Sequence, residues 1–299
     1  MIRFDYADPG TLAEASALLL AHGDEASLMA GGTDLLVEIK EQLRRPRLVI
    51  DLKRIAGLDQ LAVDADGALR LGALVTSRRI ETDARVRAHW PGLHQALSEL
   101  GSIQVRHRAT VVGNICRASP SADALPPLIA DGAALHLHGP KGDREVALED
   151  FFTGPGRTVL GPGEIVLQVR VPPLPLPLQA GRAYIKHGRR KAMELATVGV
   201  ATCLALAADG RVAEVRIALG AVAPTPVRAR AAERALLGER PSDALLAQAG
   251  ELAMRESRPI DNVRASAAYR REMVGVLTRR VLQQALVRAR GTPPARVSA

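Results

Sequence analysis

Four prolines in six positions, Pro172, Pro173, Pro175 and Pro177, interrupt the chain a little past its middle. Proline lacks an amide hydrogen and fixes φ, so this segment supplies no regular ladder and reads as extended and irregular. It divides the chain into a part over 1–176 and a part over 178–290, with a frayed tail over 291–299.

The two parts carry different patterns. In the first, residues 11–22 read as a helix with Thr11 and Glu14 in a capping-box spacing. A short apolar step at Leu28-Met29-Ala30 precedes a second helix over 35–43, stopped by Pro46, and a buried strand follows over 48–52. Strand, helix, strand at this spacing is a parallel unit. Further strands are expected over 61–63, 69–71, 133–137 and 165–171, with a hairpin at Asp66-Gly67 and a helix over 91–101. The second part reads as two strands, 197–206 and 211–222, around Asp209-Gly210. Three helices follow over 226–237, 242–254 and 265–289, the last with Tyr269, Met273, Val276, Leu277 and Val281 near one face. The whole is α+β, with subdomains of about 1–55 and 56–176 before the proline run.

Composition narrows the function. Two cysteines, Cys116 and Cys203, provide neither a disulfide framework nor four thiolates for an iron–sulfur cluster. The seven histidines show no metal-ligand spacing, so no metal site is expected in this chain. The net charge of +8 is spread along the sequence, and aromatics make up 2%, which argues against nucleic-acid stacking. No apolar run approaches a membrane span, and the opening MIRFDYADPG has no signal-peptide core. A cytoplasmic location is therefore expected.

Three segments carry possible chemistry. Ala30-Gly-Gly-Thr-Asp34 lies where a strand gives way to a helix; its glycines would let backbone amides approach an anion, or it is a tight turn with Asp or Thr as N-cap. Residues 104–123, including Thr110-Val-Val-Gly-Asn114 and Asp123, form a long, polar, weakly periodic stretch. It is either a functional loop, with Gly113 and Asn114 facing a ligand, or a surface loop with Asp123 capping the next helix. The arginine-rich turn over 184–197 opens on a strand that carries Lys186, which points either to solvent or into a cleft. Cys116 reads as a small buried residue rather than a redox group.

Together and in this order, these segments resemble the FAD-binding medium subunit of the molybdenum hydroxylases, as in aerobic carbon monoxide dehydrogenase and xanthine dehydrogenase. Phe4-Asp5-Tyr6 through Glu14-Ala15, Gly163-Glu164-Ile165-Val166 and Asp261 through Arg270 fit the same pattern. The resemblance implies a two-subdomain FAD-binding domain of the vanillyl-alcohol-oxidase-like (PCMH) type, then a small sheet-plus-helices domain. Ala30, Gly31, Gly32, Thr33, Asp34 and Leu35 would hold the FAD pyrophosphate together with Thr110, Gly113 and Asn114. Asp123 would lie near the ribityl chain or flavin, Val166 against the isoalloxazine, and Lys186 beside its polar edge. No side chain need act as a nucleophile, so no catalytic residue is assigned. A small subunit with two [2Fe–2S] centres and a large molybdenum subunit would be partners in a heterotrimer, and NAD, a quinone or oxygen the acceptor. The sequence departs from the pattern in three ways. Val112 replaces the first glycine of the usual Thr-Ile-Gly-Gly-Asn, for which an extended backbone is expected. Leu100 stands where xanthine dehydrogenase has an aromatic. The four-cysteine insertion of a related reductase is missing. A stand-alone flavin oxidase and a flavin-free scaffold are the competing readings.

Overall fold

The computed structural model describes residues 2–174 and 179–291. Pro175 and Pro177, and the tail beyond Gly291, lie outside the described residues. The chain opens with β1 (Asp5–Ala7), α1 (Leu12–His22), β2 (Ala26–Met29), α2 (Leu35–Lys40) and β3 (Leu48–Asp51). The strands form a parallel sheet in the order β1-β3-β2. Thr11 caps α1 by accepting from the Glu14 amide, while the Glu14 carboxylate accepts from the Gly10 amide. Helix α2 is shorter than expected: Gln42 adopts φ 60°, a left-handed turn that ends it before Pro46.

The chain continues through β4 (Leu61–Val63), β5 (Leu69–Gly72), α3 (Ser77–Thr82), α4 (Ala84–His89), α5 (Pro91–Ser98), α6 (Ile103–Arg106), α7 (Val111–Cys116) and α8 (Leu125–Ala130). Then come β6 (Ala134–Gly139), β7 (Gly142–Ala147), β8 (Phe152–Gly154), β9 (Arg157–Thr158) and β10 (Ile165–Val171). An antiparallel sheet runs β4-β5-β10-β6-β7, with Gly67 at φ 86° in the turn joining its first two strands. Strand β7, absent from the sequence reading, is an exposed edge strand whose Asp143, Arg144 and Glu145 mask its apolar signal. The stretch 104–123 is not one irregular loop: it holds α6 and α7, N-capped by the Ser102 and Thr110 hydroxyls. Val112 is therefore helical rather than extended. Asp123 caps nothing, since α8 follows Ala124 without a side-chain cap.

The last part comprises β11 (Gln179–His187), β12 (Val198–Leu206), β13 (Val212–Gly220), β14 (Val227–Arg228), α9 (Arg230–Leu236), α10 (Asp243–Glu256) and α11 (Ala267–Gly291). Residues 227–228, expected to start the first of the three helices, instead pair with β13. The antiparallel sheet β11-β12-β13-β14 packs against α11 and α9 on one face and against α5 and α8 on the other. Every residue of β12 is consequently buried, as for a strand covered on both sides. On α11 the buried stripe is Val274, Leu277, Val281 and Ala285; Tyr269 and Val276 are exposed. Arg270 takes the buried place next to Tyr269, donating to the carbonyls of Thr197 and Ala221. The two parts of the chain are also joined by Arg182, whose guanidinium donates to Asp131 at 2.8 Å and lies over the Trp90 ring. Among the described residues no helix is long and apolar enough to cross a membrane.

Candidate functional site

Residues 30–35 leave the C-terminal end of β2, and the backbone there must turn sharply to start α2. Gly32 does so at φ 73°, and its carbonyl accepts from the Leu36 amide at 3.0 Å. Asp34 occupies the N-cap position of α2, as one of the two readings expected, but its side chain makes no capping bond. Gly31 is constrained differently. A Cβ there would overlap the carbonyl oxygen of Arg108 and stand 2.8 Å from that carbonyl carbon and 3.0 Å from Ala109 Cα. The first glycine segment thus meets the backbone just ahead of Thr110, about eighty positions on in sequence.

The second segment is held from its other side. The Ser77 amide donates to the Ala109 carbonyl at 2.8 Å, and Thr76 and Thr110 form an isolated antiparallel bridge. The Thr110 hydroxyl accepts from the Gly113 amide at 3.0 Å and so caps α7, a bond that does not use its own hydrogen. Asn114, one residue further, keeps a buried side-chain oxygen that has no partner among the described residues. Arg117 closes the arrangement by pairing with Glu38 of α2 at 2.7 Å.

Between the segments lies a cleft of about 640 Å³, within the range of small-molecule sites. Ala30, Gly31, Gly32, Thr33, Asp34, Leu35, Thr110, Gly113, Asn114, Asp123 and Val166 all line it. Val166 is buried beside a bulge in the β10–β6 pairing, which turns this stretch of β10 toward the cleft. Lys186 stands one layer back. Its ammonium donates to Asp123 at 2.7 Å and to the Glu99 carbonyl at 3.2 Å, with both side chains of the ion pair about 7% exposed or less. The Tyr184 hydroxyl donates to the other Asp123 oxygen at 3.1 Å. Burial raises the Asp123 carboxyl to about 6, against the opposing pull of Lys186 and the hydrogen bond from Tyr184. Cys116 also lines the cleft. Burial pushes its thiol up to about 12, which suits a packing residue and not a nucleophile.

Several of these residues escaped the sequence reading. Met193, Glu194 and Leu195, from the turn after Lys186, reach the cleft wall, as do Glu38 and Arg44. Their long-range placement leaves no local signal. Tyr184 was findable: it is two positions from Lys186 on a strand, hence on the same face.

Residues 2–174 match the family described as the FAD binding domain in molybdopterin dehydrogenase, and residues 183–285 match the CO dehydrogenase flavoprotein C-terminal domain. The chain belongs to the FAD-binding subunits of the molybdopterin dehydrogenases. It is 34% identical over 291 residues to the xanthine dehydrogenase FAD-binding subunit of Escherichia coli O157:H7, covering 96% of this chain and 99% of that one. It is 32% identical to the carbon monoxide dehydrogenase medium chain of Hydrogenophaga pseudoflava, over 96% of this chain and 98% of that one. Among solved structures, it superposes on a chain of the carbon monoxide dehydrogenase from Hydrogenophaga pseudoflava with a TM-score of 0.91. That pair is 34% identical, with 96% of this chain and 99% of that one covered.

The residues present suit a dinucleotide. A Cβ-free cradle at Gly31 lets two backbone segments close together, and the unpartnered Asn114 oxygen offers a buried acceptor to a ligand hydroxyl. As a member of this family the chain is an FAD-binding oxidoreductase subunit, with an α+β FAD-binding domain followed by its C-terminal domain.

Proposed function

We propose that this chain is the electron-transfer subunit of a multi-subunit molybdenum hydroxylase, linking [2Fe–2S] clusters of a small partner subunit to an external acceptor such as NAD, a quinone or oxygen. In this reading the substrate is hydroxylated in a large molybdenum subunit, and the three chains form a heterotrimer in the cytoplasm. One observation carries the proposal. Two segments about eighty residues apart meet at backbone contact around a cleft, in a chain that aligns over 96% of its length with an FAD-binding subunit of xanthine dehydrogenase. Two cysteines do not supply the four thiolates of a cluster, so in this reading the electrons come from clusters held by a partner polypeptide.

When bound, FAD supplies both one-electron and two-electron exchange, which suits it to stand between clusters and a two-electron acceptor. The protein's part is to bind and orient it. Ala30 through Leu35 and Thr110 through Asn114 would hold the pyrophosphate, and Val166 would pack against the ring. Asp123 and Lys186 set the charge of the inner wall. The decisive experiment is anaerobic reduction of the co-purified complex by its hydroxylation substrate. The flavin absorbance is expected to bleach; a flavin that stays oxidised while the clusters are reduced refutes the relay. Steady turnover by the isolated chain would favour a stand-alone oxidase instead, and a preparation that never takes up FAD would favour a scaffold.

A further inference from the structure

Lys186, which the resemblance puts beside the flavin's polar edge, is paired with Asp123 inside a set of buried bonds. The set comprises the Lys186 ammonium on one carboxylate oxygen, the Tyr184 hydroxyl on the other, and the Glu99 carbonyl as second acceptor for the lysine. The space for it comes from β12. Gly199 lies opposite Lys186 in the ladder and Ala201 opposite Tyr184, and a Cβ on Gly199 would stand 3.1 Å from the Tyr184 hydroxyl. Asp123 is the member that lines the cleft.

We propose that Asp123 is a proton acceptor coupled to reduction of the bound cofactor, and that Tyr184 is the positioning residue that holds it for this role. The inference rests on the FAD-relay reading above and adds a proton site to it. With Asp123 ionised, the pair is neutral and contributes little field to the cleft. Adding electrons to the cleft places negative charge next to the carboxylate, and like charges in a buried site disfavour each other strongly. Taking one proton from solvent neutralises Asp123 and leaves the Lys186 charge uncompensated, facing the electron-rich cofactor. The balance is one additional proton per electron pair, the electrons coming from the partner clusters or from a chemical reductant.

The groups facing Asp123 set the pH range. Burial dominates and raises its carboxyl to about 6, Lys186 and Tyr184 pull it down, and the Glu99 carboxylate pushes it up. Against this value of about 6 without added electrons, the reduced protein holds the proton to higher pH. Between the two values the midpoint potential falls more steeply with pH, by about 30 mV per unit for one extra proton per two electrons. Removing the Tyr184 hydrogen bond destabilises the carboxylate and moves the lower edge of this window upward.

The test uses the full chain loaded with FAD, dithionite titration at a series of pH values, and three proteins: wild type, Asp123→Asn and Tyr184→Phe. FAD content is measured first. A wild-type chain that takes up no FAD overturns the functional reading and this inference with it. With FAD bound, the wild-type curve is expected to show the steeper segment above pH 6, Asp123→Asn to lack it, and Tyr184→Phe to show it displaced to higher pH. The redox-difference infrared spectrum is expected to carry a protonated-carboxyl band that Asp123→Asn loses. Superimposable curves for wild type and Asp123→Asn, with no such band, overturn the inference. If Asp123→Asn does not retain FAD, Tyr184→Phe decides: an unmoved break in the potential overturns it.

Discussion

Gly31 is the position at which the convergence of the two segments is most exposed to test. Replacing it with alanine adds one methyl group, which would overlap the Arg108 carbonyl oxygen and approach the Arg108 carbonyl carbon to 2.8 Å. Both neighbours are backbone, so no side-chain rotation relieves the contact, and one segment has to move. Overpacking of this kind costs typically 1–3 kcal/mol, and a backbone obstacle places Gly31→Ala at the upper end, about 3 kcal/mol. If the free protein relaxes by opening the cradle, the cost falls on the ligand: about 3 kcal/mol is about two powers of ten in the FAD dissociation constant. If the cradle stays closed, the cost falls on stability, at about 2 °C of melting temperature per kcal/mol. Gly32→Ala is the control. Its φ of 73° disfavours a side chain by roughly 1–2 kcal/mol, but the new Cβ meets only the side chains of Leu36 and Met29, at 3.3 Å, and these can turn away. FAD titration by fluorescence quenching together with thermal melts of the apoprotein measures both channels. Gly31→Ala should be the more damaging in their sum. Wild-type affinity combined with a wild-type melting temperature for Gly31→Ala would refute the claim that the segments meet there.

Two further predictions concern what supports the cleft. Arg106, on α6, is buried and donates through two nitrogens to Glu81 and through a third to the Leu100 carbonyl at the cleft wall. Burial works to raise Glu81, but the bonds from Arg106 and Arg78 outweigh it and hold the carboxyl below its usual range. A lowered folded value contributes stability above the unfolded carboxylate pKa that is lost as pH falls through the folded one. Glu81→Gln should therefore destabilise by about 3 kcal/mol at pH 7, and the difference in melting temperature from wild type should shrink below about pH 4. Arg182→Lys should cost about 3 kcal/mol in urea unfolding, because a lysine cannot both pair with Asp131 and stack on Trp90; stability equal to wild type would show the fork is dispensable.

How much of this was legible in the sequence depended on whether the signal was local. The turn at Gly31-Gly32 and the parallel pair flanking it were readable because apolar strands and a glycine break lie within about twenty-five residues. Helix α7 was not: six residues carry less than two turns of periodicity, and Gly113 and Asn114 read as loop formers. The reading as a loop also led to the wrong backbone for Val112, which the Thr110 cap makes helical. Tyr269, expected near the apolar face of α11, is exposed, and Arg270 takes the buried place beside it. A guanidinium satisfied by two carbonyls tolerates burial that hydrophobic periodicity alone does not foresee. The cleft lining from the two glycine segments followed from motif order, whereas Met193 and Leu195 needed the third dimension.

The Arg108–Gly31 approach bears on why the two segments are so far apart in sequence. A single phosphate-binding loop between one strand and one helix fixes its ligand against a local turn. Here the glycine of the first segment is pressed on the backbone that leads into the second, and the second is fastened in turn to the link between β5 and α3 by the Ser77 and Val111 amides. Each segment is thereby located by a different sheet, the first by β2 in the parallel sheet and the second by β5 in the antiparallel one. The cradle can be no more rigid than the packing between those sheets. Ser16 of α1, whose hydroxyl donates to the Gly163 carbonyl ahead of β10, is part of that packing although it lies outside the cleft. Loosening this contact should open the cradle from behind, so Ser16→Ala is expected to weaken FAD binding severalfold with no change to any cleft residue. Unchanged affinity, measured by the same quenching titration, would show that the sheets are positioned by other contacts.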